Sequence, residues 1–107
     1  MEDTEHESSS SRTKYQVRGK EIRVSYPGLQ ILDHGEAVYF SVLIKRFPET
    51  KQFRVDLSGV LSLPGGFFGA LLDTVESGRR VLLLNATPEV KALIGYRRFV
   101  TRGVVHL

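Results

Sequence analysis

The chain has no cysteine. That absence removes disulfides, thiolate metal ligands and thiol nucleophiles, and it fits a cytoplasmic location. Long apolar runs are also missing. Nothing approaches the ~18 residues that a membrane-spanning helix needs. The histidines number three, His6, His34 and His106, and no HxH, HExxH or acid-rich loop brings them into a ligand pattern, so no metal site is expected. No GK[ST] follows a glycine loop and no GxSxG occurs, which leaves neither a Walker phosphate loop nor a nucleophile elbow. Asp33 and Glu36 read better as a helix cap than as a catalytic carboxylate pair. No enzyme is expected.

Acid is scarce in the last third. Residues 79–107 carry Arg79, Arg80, Lys91, Arg97, Arg98 and Arg102 against Glu89 alone. This segment either steers an acidic protein, a nucleic acid or an anionic membrane, or is a solvated face whose long side chains cover apolar area. No RNA-binding signature accompanies it, so no nucleic-acid partner is expected. Residues 15–78 are balanced, seven bases against seven acids.

What is present is one domain's worth of chain. Its 107 residues, 41% hydrophobic and 25% charged, match an ordinary globular domain. Residues 1–13 are acidic and polar, with Ser8, Ser9, Ser10 and Ser11 in a run. They lack the apolar surface to offset ordering and predict a disordered tail, which leaves 14–107 as the folded unit. The tail has the composition of neither a secretory signal nor a transit peptide.

From Tyr15 onward, Val17, Ile22, Val24 and Tyr26 alternate with polar residues across an Arg18-Gly19-Lys20 turn, as a hairpin does. Residues 29–32 are extended and apolar. Asp33 with Glu36 makes a capping box, and Ala37, Phe40, Leu43 and Ile44 follow at helical spacing up to Pro48. Taken alone the run VYFSVLI is also strand-like. The cap and the spacing favour helix. Phe53, Val55 and Leu57 alternate, and Val60 and Leu61 extend that strand's apolar character. Phe67, Phe68, Leu71, Leu72 and Val75 define one face of a second helix that Gly78 stops. Residues 81–84 form an apolar strand. Thr87, Pro88 and Glu89 open a third helix, which ends at Gly95 or runs to about Arg98. Residues 104–107 are a candidate edge strand. Strands alternating with helices need crossovers, hence a mixed, mainly parallel α/β sheet of four to five strands with three helices.

Residues 53–72 read FRVDLSGVLSLPGGFFGALL and residues 82–90 read LLLNATPEV. These two blocks and their spacing resemble the STAS domain, the fold shared by bacterial anti-sigma factor antagonists and the tails of sulphate transporters. The resemblance spans residues 15–107. It is carried by Val55-Asp56-Leu57-Ser58-Gly59-Val60, by Gly69-Ala70-Leu71-Leu72, and by the strand, Asn85, Thr87 and Pro88. In that family the turn before the second helix carries Asp-Ser-Ser-Gly, and its second Ser is a phosphorylation switch. Here Pro64 stands for the acid, Gly65 and Gly66 for the serines and Phe67 for the glycine. The switch position is Gly66, so no phosphosite is expected there. The resemblance implies a non-catalytic, cytoplasmic module for protein–protein interaction in bacterial signalling, without a cofactor. It is a regulator or scaffold, with an anti-sigma factor, a scaffold or a transporter component as partner. Partner binding would fall on Ser62, Pro64, Gly65, Gly66, Phe67 and Phe68. Phe67 and Phe68 point about 100° apart on a helix, so either one is an exposed anchor or both lie in a wide core stripe. The alternative is a small-ligand sensor holding a nucleotide or anion on the amides of the Gly65-Gly66 turn.

Overall fold

The computed structural model describes residues 6–7, 13–96 and 104–106. Its elements run β1 (His6–Glu7), β2 (Lys14–Arg18), β3 (Glu21–Ser25), α1 (His34–Arg46), β4 (Gln52–Asp56), α2 (Gly65–Glu76), β5 (Arg80–Leu84), α3 (Pro88–Tyr96) and β6 (Val104–His106). One sheet holds all six strands in chain order. The first three are antiparallel and the rest are parallel. This is the mixed, mainly parallel architecture that the alternation implies. The count exceeds the expected four to five by the two-residue strand β1. The other residues of the expected tail, 1–5 and 8–12, lie outside the described residues, and Thr13 is buried.

The β2–β3 hairpin turns at Gly19, whose φ of +56° is left-handed and costs glycine little. Registers pair Val17 with Ile22, Ile22 with Phe53 and Phe53 with Val81. Inward-facing residues of β3, β4 and β5 are fully buried: Ile22, Val24, Phe53, Val55, Val81 and Leu83. Three successive crossovers connect strands that step in one direction. With the usual right hand they place every helix on one face of the sheet.

The helices form where their caps allow. Asp33 Oδ1 accepts the Glu36 amide at 3.2 Å, and Glu36 Oε1 accepts the Asp33 amide at 3.3 Å, the reciprocal capping box that starts α1. Ala37, Phe40, Leu43 and Ile44 bury its inner face. In α3 the Thr87 hydroxyl accepts the Val90 amide at 3.2 Å and donates to the Val60 carbonyl at 2.7 Å. The helix continues through Gly95 to Tyr96. Residues 97–103 lie outside the described residues.

One boundary differs from expectation. β4 stops at Asp56, so Val60 and Leu61 are not on it. Asp56 Oδ1 accepts both the amide and the hydroxyl of Ser58, at 3.0 and 2.6 Å. This local turn takes the backbone out of the ladder, and Gly59 completes it at φ +76°.

An aromatic cluster locks α1 and α2 onto the sheet. Phe40 stacks on Phe67 at 5.2 Å between centroids and meets Phe53 edge-on at 5.7 Å. Tyr26 meets Phe67 edge-on at 6.1 Å. Such pairs add about 0.5–1.5 kcal/mol beyond the area they bury.

A candidate docking site at the start of the second helix

Two loop segments lie side by side at the end of the sheet where β3 and β4 finish. Ile31 bridges Ser62 in parallel. Leu61 N–H donates to the Gln30 carbonyl at 2.7 Å, and Leu32 N–H to the Ser62 carbonyl at 3.1 Å. The first segment feeds α1 and the second feeds α2, so both helix N-termini emerge together. Open α/β sheets present their binding crevices at this end.

The two termini are finished differently. Asp33 and Glu36 satisfy the first turn of α1. The residue before α2 is Pro64, which makes no side-chain cap hydrogen bond, and the first turn of α2 holds no acid. Gly65 and Gly66 are exposed. The positive end of α2, with amides that no side chain of its own caps, therefore faces outward. Gly66 also lies against α1: a Cβ built there stands 3.4 Å from the Ala37 Cβ and 4.0 Å from His34 Nδ1.

The expected site residues divide in two. Ser62 and Pro64 are half-buried, and Gly65 and Gly66 are exposed. Phe67 is 0% exposed and Phe68 is 3% exposed. Of the two readings of this pair, the wide core stripe is the one the structure has. Neither ring is an exposed anchor: Phe67 packs on Phe40 of α1 and against Tyr26, and Phe68 is buried beside it. The exposed apolar groups at this end are Ile31, 68% exposed, and Leu61, 40% exposed. The sequence places Ile31 in an extended apolar segment and Leu61 in the apolar continuation of the strand that holds Phe53, Val55 and Leu57. The signal that could have exposed them is the alternation of each segment with its buried neighbour, Leu32 or Val60. On α1, His34, Val38 and Val42 are exposed at i, i+4 and i+8, which places them on one side of the helix.

Asp56 sits nearby as a structural carboxylate. Burial alone would raise its pKa. The Ser58 hydroxyl and amide, with Asn85 Nδ2 at 3.3 Å, outweigh that and hold it below the usual carboxylate range. Asn85 takes a left-handed φ of +57°, which Asn tolerates. A depressed folded-state pKa gives stability that is complete above the unfolded value, about pH 4, and is lost as pH falls through the folded value. The melting temperature of the wild type should therefore exceed that of Asp56→Asn by a constant margin above about pH 5. The margin should shrink below about pH 4. A margin that stays flat down to pH 2 would show that the carboxylate charge has no part in this loop.

Other expected features lie elsewhere. Arg79 of the basic third donates to the Ile44 carbonyl at 2.9 Å and lies 5.9 Å from the Phe53 ring centre, so it caps α1 and packs on the core. Arg97, Arg98 and Arg102 lie outside the described residues. A concavity of about 350 Å³ is lined by Lys20, Glu49, Lys51 and Arg79 at the opposite end of the sheet. A smaller one of about 180 Å³ is lined by Ser25, Tyr26, Asp56 and Ser58. Neither includes Gly65 or Gly66, where the small-ligand alternative placed its nucleotide or anion. Among the described residues no helix is long and apolar enough to cross a membrane.

No protein-family model matches the chain, and no curated protein matches it. Solved structures do. The anti-sigma factor antagonist SpoIIAA, in its unphosphorylated form, superposes with a TM-score of 0.67 at 12% identity, over 89% of this chain and 86% of that one. The NMR structure of the protein TM1081 superposes with a TM-score of 0.68 at 13% identity, over 100% of this chain and 89% of that one. At these identities the likeness establishes the fold. The chain has the STAS fold.

Proposed function

We propose that this protein is a non-catalytic recognition module of the anti-sigma factor antagonist type, working without a phosphoserine switch. It docks a protein partner, an anti-sigma factor, scaffold or transporter component, on the surface formed by Ile31, Leu61, Ser62 and the Pro64-Gly65-Gly66 turn. The observation that carries this reading is the pair of exposed apolar side chains beside a helix N-terminus that has no side-chain cap. Apolar anchors supply affinity by burial, about 1.5–3 kcal/mol for a fully buried aliphatic side chain. The uncapped amides of α2 supply direction, favouring a partner carboxylate or carbonyl at that point. A phosphoserine here would add about −1.5 to −2 charges beside those amides. With Gly66 at the position, control would act on the partner or on the amount of either protein.

Affinity capture with the tagged protein tests the site. Ile31→Arg and Leu61→Arg place a cation on an exposed position, so each should change stability by less than about 0.5 kcal/mol. A partner recovered by the wild type should be lost with either variant. Equal recovery with both variants would move the docking surface elsewhere.

A further inference from the structure

The face of the sheet that carries no helix is a second candidate surface, separate from the docking turn. Strand registers array its outward side chains in rows. Arg18, Glu21, Gln52 and Arg80 form one row, and Gln16, Arg23, Arg54 and Leu82 form the next. Lys14 and Asp56 lie on the third row. Across β2 to β5 this face therefore holds five cations and two carboxylates.

An ordinary solvated sheet face sets opposite charges across neighbouring strands. Here Arg23 and Arg54 are paired directly on β3 and β4, where strands lie about 4.8 Å apart. Glu21 makes that arrangement tolerable. Its Oε2 lies 3.4 Å from Arg23 Nε and 3.1 Å from Arg54 Nε. Its Oε1 accepts from Gln52 Nε2 at 2.9 Å. Asp56 is engaged by Ser58 and Asn85. Both acids that β2 to β5 contribute are thus committed, Glu7 of β1 stands opposite Lys14, and among the described residues no ion pair is made by Arg18 or Arg80, which are exposed. The result is a flat cationic surface with part of its charge held in fixed geometry and part left unbalanced.

We propose that this face binds an acidic protein partner, independently of the docking turn. A second copy of the chain is disfavoured, because two such faces would bring like charges together. A nucleic acid is disfavoured on two grounds. No aromatic side chain among the outward residues of β2 to β5 offers a base a stacking platform. Glu21 also stands between Arg18 and the Arg23–Arg54 pair, in the path of a phosphate backbone that would run from one to the other, whereas discrete carboxylates on a protein can be placed around it. The half-buried Leu84 adds an apolar edge beside Asp56, which an aliphatic residue of an acidic protein surface would fit.

The test uses the full chain and a synthetic peptide of repeating Glu-Glu-Leu, followed by NMR shift mapping and by titration at several salt concentrations. The peptide should shift the resonances of Arg18, Arg23 and Arg80 and leave those of Gly65 and Gly66 in place. Arg18→Gln with Arg80→Gln should weaken it about fivefold or more and flatten its salt dependence. Lys45→Gln with Arg46→Gln removes the same charge from the last turn of α1 and should change affinity less than twofold. Equal weakening by both pairs would reduce the effect to net charge and overturn the proposal. Shifts confined to other surfaces would do the same. If an oligothymidylate of equal length binds this face and loses affinity with the Arg18 and Arg80 substitutions, the partner is a nucleic acid and the acidic-protein assignment fails.

Discussion

Phe67→Ala should destabilise the protein by about 3–5 kcal/mol, the range for removing a buried ring without collapse of its surroundings. Phe67 is fully buried and joins three elements at once, stacking on Phe40 of α1 and meeting Tyr26 after β3. Phe40 in turn rests on Phe53 of β4. A domain of this size has roughly 5–15 kcal/mol in total, so the melting temperature should fall by about 15 °C or more. Denaturant melts measure the loss directly. Phe67→Leu keeps most of the volume and should cost clearly less, which separates a cavity effect from outright failure to fold. A loss below about 1 kcal/mol for Phe67→Ala would show that the ring is not part of the core. The residue stands two positions into α2, directly below the exposed glycines. Its removal should therefore weaken partner docking and stability together, unlike any substitution on the surface of the turn.

The same residue shows where sequence reading reached its limit. The hydrophobic period places Phe67 and Phe68 on α2, and their 100° separation leaves open whether one side of the stripe is covered. That depends on how close α1 lies, and α1 can lie close because Gly66 and Ala37 are small. Local chemistry was legible wherever a side chain acts on its own backbone, as Asp33 and Glu36 do on α1 and Thr87 does on α3. The end of β4 was misjudged because Asp56 has two possible roles, ladder residue or turn former, and Ser58 decides between them. Ile31 and Leu61 look like core in a one-dimensional pattern, and only the parallel bridge between their segments shows which side is left uncovered. Charge behaved the same way. Residues 15–78 are neutral as a string, yet strand alternation gathers Arg18, Arg23 and Arg54 on one face of the sheet.

Gly66→Glu should leave the fold intact and cost more than about 2 kcal/mol of partner binding, roughly thirtyfold in affinity. The structure accommodates the side chain. Gly66 does not need a left-handed φ, and its added Cβ meets the Ala37 Cβ at 3.4 Å, an ordinary contact. A carboxylate in the first turn of α2 suits the positive helix end, and any residue other than proline improves helix propensity over glycine. Thermal stability should therefore stay level or rise slightly. Binding should fall for the same reason that stability does not. The new carboxylate occupies the amides that would receive the partner's acid or carbonyl, and its bulk fills the approach that two glycines keep open. Gly66→Ser is the discriminating companion, because it adds a hydroxyl without charge and should bind nearly as well as the wild type. Binding of Gly66→Glu can be followed by calorimetry against the partner recovered in capture experiments, alongside a melt of each variant. Unchanged affinity with Gly66→Glu would mean that the partner does not reach the α2 terminus. Lost affinity accompanied by a lowered melting temperature would instead place the effect on folding, and the Ile31 and Leu61 variants would then carry the decision.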